Sequence, residues 1–353
     1  NTAELDLSTG SVFEITPTSD IQINLSNPAD SGTVSQATLL LEGGNSSEYD
    51  VTNATLSNTF SVQSQDINPQ GLAFKADGTS FYIAGSGTDS VYQYDMTTAW
   101  DTSTASYASK SLSVSGNETD PQALYFKPDG TKMYVTGTSS DSVHQYSLST
   151  AWDLSTASDD SVSVSVSAQT ANPCGLSFKP DGTKMFVLHQ SSDEVDEFTM
   201  ATPWDLANAQ YSQKVSIATE ELNPNGLYFT DDGDLMFVVG QSNDAVFKYS
   251  LSTPWDVSTV SYTGEAFDTG ESLPEDVFFG DYGRRMYVVG SNGDTVQEFS
   301  VGSAATITYP STLEWPSGTA PTSPAIGETD VLTFSTTDGG TSYQAVQAID
   351  GAS

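Results

Sequence analysis

Positive charge is scarce in this chain. Ten Lys and Arg face 46 Asp and Glu over 353 residues, for a net charge of −36. Nucleic-acid binding needs basic side chains against phosphates, so that class is excluded. An anionic membrane surface is disfavoured for the same reason. All ten cations lie between Lys75 and Arg285, and the two ends of the chain have none. Screening at high salt makes such a charge tolerable; an anionic face that meets a basic partner is the other meaning. Cysteine is nearly missing as well. Cys174 stands alone, so no disulfide framework can form. The only histidines are His144 and His189, and a zinc, Ser-His or Cys-His centre would need them to converge. No apolar run reaches spanning length, so no membrane insertion is expected. The chain starts at Asn1 without a signal-like segment or initiator methionine, and a trimmed start is expected. Asn-x-Ser/Thr triplets at Asn24, Asn45, Asn53 and Asn117 carry little weight in so Ser/Thr-rich a chain.

What the chain has instead is a repeat. Pro69, Pro121, Pro173 and Pro224 each open a Pro-x-Gly/Ala-Leu-x-Phe segment. Asp77-Gly78, Asp129-Gly130, Asp181-Gly182 and Asp232-Gly233 follow as tight turns, and Trp100, Trp152, Trp204 and Trp255 close each copy. The turn and tryptophan series both step by 52, 52 and 51 residues. A fifth copy, Pro274 to Phe299, stops before its Trp-Asp. Each copy reads as four short strands: in the second, Ala123–Lys127, Lys132–Thr136, Val143–Tyr146 and Ser161–Val166. No segment has a helical period. One supersecondary unit stacked at this spacing predicts an all-β propeller with four-stranded blades.

The ends predict closure. Tyr49-Asp50-Val51-Thr52-Asn53-Ala54 lies 51 residues before Trp100-Asp101-Thr102-Ser103-Thr104-Ala105 and is the tail of a repeat without a beginning. Joined to the fifth copy it supplies the missing strand, about Leu56 to Val62, and five blades follow. Strands from both ends of the chain would then lock the ring and remove two open edges. Residues 1–48 and 302–353 fall outside the repeat but hold strand-like runs such as Val12–Ile15, Ile21–Leu25, Val331–Phe334 and Tyr343–Val346. Each half is too short to bury a core alone. They are expected to form one small, discontinuous β-sandwich-like domain, with the propeller of residues 49–301 inserted in it.

The flanks carry a resemblance. Leu5-Asp-Leu-Ser-Thr-Gly-Ser-Val-Phe13 with Leu25-Ser-Asn-Pro28, and Leu313-Glu-Trp-Pro-Ser-Gly-Thr-Ala-Pro321 with Asp330-Val-Leu-Thr-Phe334 and Thr337-Asp-Gly-Gly340, resemble a module common in bacteriophage virion proteins. The repeat Phe-Lys-Pro-Asp-Gly-Thr-Lys-Met with Leu-Ser-Thr-Ala-Trp-Asp resembles repeats of tail- and fibre-associated proteins of environmental, often marine, phages. The resemblance implies a protein on the virion surface, with other virion proteins as partners through the split β domain. It also implies self-association, for instance as a trimer, and a propeller that meets a host-surface glycan as part of a tail fibre or tail tip. A capsid decoration or head-fibre protein is the alternative, and a secreted lectin or cell-surface layer protein is a second. Neither resemblance brings enzymatic residues.

The repeats act as their own control: a kept residue is structural, and a departing one is a candidate for function. The kept acids Asp89, Asp141, Asp193, Asp244 and Asp294 are expected to accept N–H bonds of their turns. They spread around a ring and cannot share one ion, so no metal is expected, nor any cofactor. The four tryptophans are expected to pack; exposed, they would form an aromatic platform for sugars. His189 breaks a slot held by Gly85, Gly137, Gly240 and Gly290. The slot after the leading proline reads Gln70, Gln122, Cys174, Asn225 and Glu275 and is expected to ring one mouth of the propeller. His189, Gln70, Gln122, Asn225 and Glu275 are therefore the candidate ligand-binding residues, a neutral glycan being the favoured ligand; a polar rim facing water is the plainer meaning. A glycosidase would need paired carboxylates at one cleft, and Glu275 has no evident partner. With no catalytic set in view, the chain is expected to be non-enzymatic.

Overall fold

A computed structural model describes residues 2–8, 12–15, 21–28, 30, 35–42, 48–169, 171–302, 307–316, 320, 329–338 and 340–352. The Asn45 triplet and Gly10–Ser11 of the N-terminal motif lie outside them. The chain divides into two compact units, residues 54–300 and residues 1–53 with 301–353.

Residues 54–300 form a five-bladed propeller of four-stranded antiparallel blades. The inner strands of blades I to V are Pro69–Phe74, Pro121–Phe126, Pro173–Phe178, Pro224–Phe229 and Pro274–Gly280. Each contacts the next in order, and that of blade V meets that of blade I, so the ring is closed. Blade V takes its outer strand, Thr55–Ser61, from the other end of the unit, pairing Val296 with Phe60 and Phe299 with Leu56. The closing strand expected from the fragments is therefore present.

The repeated residues explain why each copy folds alike. The turn glycines Gly78, Gly130, Gly182 and Gly233 have φ of 69–75°, which only glycine adopts freely. A Cβ there would also lie 2.3 Å from the ring of Trp100, Trp152, Trp204 or Trp255. Each tryptophan, itself at φ of 62–66°, donates its backbone N–H to that glycine's carbonyl at 2.9–3.0 Å. Its ring stacks on Phe74, Phe126, Phe178 or Phe229 at 5.2–5.8 Å. The tryptophans are packing residues and offer no sugar platform.

Neighbouring blades are then latched through the same corner. Tyr82 Oη donates to Trp152 O at 2.6 Å, Tyr134 Oη to Trp204 O at 3.0 Å and Tyr287 Oη to Trp100 O at 2.5 Å. Lys184 Nζ serves this role toward Trp255 O at 2.7 Å. Behind the latch, Asp101, Asp153, Asp205 and Asp256 cap one-turn 3₁₀ helices. The first helical N–H of some of these turns reaches back to the preceding blade, Thr102 N to Glu298 Oε2 at 2.8 Å and Leu154 N to Gln93 Oε1 at 3.1 Å.

The kept aspartates prove to be backbone specialists. Asp89, Asp141, Asp193, Asp244 and Asp294 have φ of 46–56°, a left-handed position that Asp tolerates better than most residues. Their carbonyls accept the N–H of Val114, Val166, Ile217, Thr269 and Val62 at 2.8–3.0 Å, which ties off each outer strand. Their carboxylates do less than expected: Asp141 Oδ1 accepts from Asn172 N at 3.0 Å, outside its own turn, while Oδ1 of Asp193, Asp244 and Asp294 has no hydrogen-bond partner.

The second unit has two sheets. Thr2–Asp6, Ile21–Ser26 and Ile307–Thr308 form a parallel one. Val12–Ile15, Ser35–Glu42, Thr329–Thr336, Tyr343–Ala352 and Leu313–Glu314 form the other. Leu39 lies opposite Leu332 across that sheet. Leu5, Ile23, Leu39, Ile307, Leu332 and Phe334 share one core, so both ends of the chain build it together. Trp315 is half-buried, edge-on to Tyr309 at 5.3 Å, rather than held out for a partner.

Candidate active site

The inner strands run so close together that their second slot after the proline is kept small. It reads Gly71, Ala123, Gly175, Gly226 and then Asp276. A Cβ on Gly226 would lie 2.5 Å from Asp276 Cα, and one on Gly71 2.9 Å from Ala123 Cα. Only blade V places an acid there. The Asp276 carboxylate accepts Leu72 N of blade I at 2.9 Å and Val277 N at 2.8 Å, and Leu227 N of blade IV as well. Three consecutive blades thus converge on one buried side chain. Burial pushes its pKa up to about 8, against the three N–H groups that hold it down.

Glu275 precedes it in the rim slot. Its carboxylate accepts Asn225 Nδ2 at 3.1 Å and Gln241 Nε2 at 3.0 Å. It also accepts Ser291 Oγ and the Gln70 amide. Two amide chains hold it in place: Gln190 Nε2 donates to Asn225 Oδ1 at 2.6 Å, and Asn223 Nδ2 to Gln241 Oε1 at 2.9 Å. Glu275 is 6% exposed. Burial pushes its pKa up to about 7, against the hydrogen bonds from Ser291, Gln241 and Gln70. A carboxyl poised there can take or give a proton at neutral pH. Among the described residues, no group of three or more His, Cys, Asp or Glu could hold a metal ion.

The structure thus brings Gln70, Asn225 and Glu275 together. Gln122 faces its own Asp120, Nε2 to Oδ1 at 2.8 Å. Cys174, in the same slot, is buried with its thiol on Pro224 O at 3.1 Å, and burial raises its pKa. His189 is not on this rim. It is fully buried, with Nε2 3.1 Å from Asp196 Oδ2, off the line of a ring N–H, so the contact is not a formed hydrogen bond. Its origin is a swap. In the other blades a buried acid, Asp66, Glu118, Glu221 or Glu271, lies over the glycine that His189 replaces, 2.2–2.6 Å from where a Cβ would be. Those acids cap the adjoining loop, as Glu221 Oε1 does for Asn223 N at 2.8 Å and Ser242 N at 2.9 Å. Blade III has Thr170 in the acid's slot. His189 itself is fully buried and has no exposed edge for a ligand.

Sequence reasoning passed over Asp276, although it breaks a Gly/Ala slot. It also passed over Gln190, Gln241 and Ser291, whose slots carry polar residues in other copies and give no signal.

The positive side chains are already engaged. Nine of the ten pair with carboxylates, and Arg284 lies over the Tyr282 ring at 5.8 Å. The site is built from carboxyls, amides and a hydroxyl alone.

Residues 30–254 match the family described as "Lactonase, 7-bladed beta-propeller". The match stops before Glu275, so the site's residues are assigned by geometry. No curated protein matches the chain. Several solved structures resemble the chain at low similarity. A functionally unknown protein from Desulfotomaculum acetoxidans is 12% identical, covering 67% of this chain and 84% of that one, with a TM-score of 0.45. The periplasmic gluconolactonase PpgL of Pseudomonas aeruginosa is 17% identical over 67% and 71%, with a TM-score of 0.41. A Lactobacillus plantarum protein is 14% identical over 66% and 67%, at 0.42. Scores this low say nothing about chemistry, and five blades here replace the seven of the family's description.

The family match overturns the expectation of a non-enzymatic chain. That expectation looked for a second carboxylate across a cleft. A single carboxyl tuned by burial needs none. With the match spanning well over half of its residues, the chain belongs to the lactonase propeller family, as a member whose ring closes with five blades.

Proposed function

We propose that the protein hydrolyses a ring ester where the inner strands of blades IV, V and I begin, with Glu275 as general base. The observation that carries this is the Glu275 carboxyl, nearly buried, held by Asn225, Gln241, Ser291 and Gln70, and with its pKa at about 7. The family match supports the reaction class. Water attacks the ester carbonyl carbon while Glu275 takes its proton. The tetrahedral intermediate collapses, the ring C–O bond breaks, and Glu275 returns the proton to the departing alkoxide. The product is an open-chain hydroxy acid, and no cofactor is consumed. The Gln241 and Gln70 amides each carry two N–H groups, one for Glu275 and one to polarise the substrate carbonyl. Asp276 pins the strand that presents Glu275.

The test is hydrolysis of δ-lactones by the full chain and by Glu275→Gln, followed by proton release. Activity that survives the substitution would remove Glu275 from the mechanism.

We further propose that this activity sits on the outside of a phage-like particle, with the split β unit as its attachment to other virion proteins. The flank motifs support that setting, as does the lack of any Lys or Arg in residues 1–53 and 301–353. Labelling the protein on intact particles, at tail or at head, tests it; label found only off particles would count against it.

A further inference from the structure

Few large apolar side chains are exposed among the described residues, and their placement is uneven. Each inner strand is reached by a short connection between the blade-corner slot and the leading proline. In blade I this connection carries Ile67, 69% exposed; in blade IV, Leu222, 66% exposed; in blade V, Leu273, 39% exposed. The corresponding connections of blades II and III carry Thr119-Asp120 and Ala171-Asn172. The three aliphatic residues stand two or three positions before Gln70, Asn225 and Glu275. The blades that supply the site are therefore the blades that supply an apolar lip beside it. A leucine or isoleucine left in water forgoes the burial that normally repays it, and these three stand on consecutive blades, each just before the start of its inner strand. The same connections lead into a site that has carboxyls and amides but no free cation, because the Lys and Arg are engaged elsewhere.

We propose that the substrate is an uncharged ring ester carrying an aliphatic substituent, which lies across Ile67, Leu222 and Leu273 while the ring reaches Glu275. This rests on the ring-ester chemistry proposed above and adds the substrate class. A phosphorylated or carboxylated lactone is rejected, since it would bring an anion to the Glu275 carboxyl with no cation to neutralise it. An alkyl chain gains by leaving water against the lip.

The experiment separates binding from turnover. Calorimetric titration of the full chain with two non-hydrolysable δ-lactams, δ-valerolactam and its 6-pentyl derivative, reads the lip directly. The pentyl compound is expected to bind at least 10-fold more tightly. That gain is expected to vanish in the double variant Ile67→Ser, Leu222→Ser and to persist in Thr119→Ser. In parallel, δ-decalactone is expected to be turned over with a kcat/KM at least 10-fold above glucono-δ-lactone 6-phosphate. Equal binding of the two lactams, binding of neither, or preference for the phosphorylated lactone would each overturn the proposal. Tight pentyl-lactam binding without lactone turnover would instead sink the hydrolase assignment and leave the aliphatic ligand standing. Melting curves of the variants confirm that the exposed substitutions leave the ring folded.

Discussion

Blades III and V each carry a pair of departures from the repeat that differ in kind. In blade III, Thr170 replaces a buried acid and His189 replaces the glycine beneath it. In sequence a smaller residue is paired with a larger one, and His189 is a fully buried ring beside Asp196. In blade V, Glu275 and Asp276 put two acids where the other copies have amides or a thiol, and glycine or alanine. Neither acid is paired with a Lys or Arg, and three backbone N–H groups and several side chains are recruited to hold them. A compensated pair of departures is repacking. An uncompensated one costs stability and persists only where something else is gained.

The comparison can be broken most sharply at Glu275. Glu275→Gln keeps the shape and the amide network but cannot take a proton, and it should lower lactone kcat by about 10²–10⁴-fold. His189→Gly should leave kcat unchanged; a comparable loss there, read in the same initial-rate assay, would erase the distinction between the blades.

The next effect is on stability against pH. Unfolded, both carboxyls of blade V ionise near pH 4. Folded, their pKa values are about 7 and about 8. Between those limits the folded state holds more protons than the unfolded one, so stability falls as pH rises from about 4 to about 8. Glu275 alone accounts for about 3 kcal/mol of that fall. Urea midpoints at pH 5 and pH 8 should differ for the natural chain and differ less for Glu275→Gln. A natural chain more stable at pH 8 than at pH 5 would contradict the buried-acid account.

Asp276→Gly restores the residue of blades I, III and IV. If Asp276 staples the ring, the change should cost about 2–3 kcal/mol, because the N–H groups of Leu72, Leu227 and Val277 lose their acceptor. A stabilised variant in urea melts would mean the acid is a pure burden kept for chemistry.

The smallest effect belongs to blade III. His189→Gly should cost about 2 kcal/mol through the space it opens, and adding Thr170→Glu should recover most of that by restoring the acid-over-glycine pair. If the double variant is no more stable than the single one in the same melts, the swap is not the reason for His189.

The closed ring was legible in the sequence because the repeat is written in residues with rigid demands. The Asp-Gly turns need a left-handed glycine, and the Trp-Asp corner needs that glycine bare beneath the ring. The tail at Tyr49-Asp50 repeats the corner, and so announces the strand Thr55–Ser61 that completes blade V. Three members of the rim slot, Gln70, Asn225 and Glu275, come together, while Gln122 and Cys174 turn to partners of their own, which the slot position does not reveal. Asp276 shows what pattern alone conceals. In a chain with 46 acids one more acid attracts no notice, and its meaning comes from backbone donors in other blades. Asp66, Glu118, Glu221 and Glu271 were hidden in the same way, because acids in polar loops read as solvated although these four are buried. His189 was noticed but misread, because the sequence does not show that its ring is fully buried beside Asp196.

The central claim is that Glu275 works as a base near neutral pH, and the pH dependence of kcat/KM for δ-decalactone tests it most directly. The account predicts a rising limb with a midpoint near pH 7, where burial places Glu275, and the loss of that limb in Glu275→Gln. A rate independent of pH from 5 to 9, or the same limb in both proteins, would contradict it.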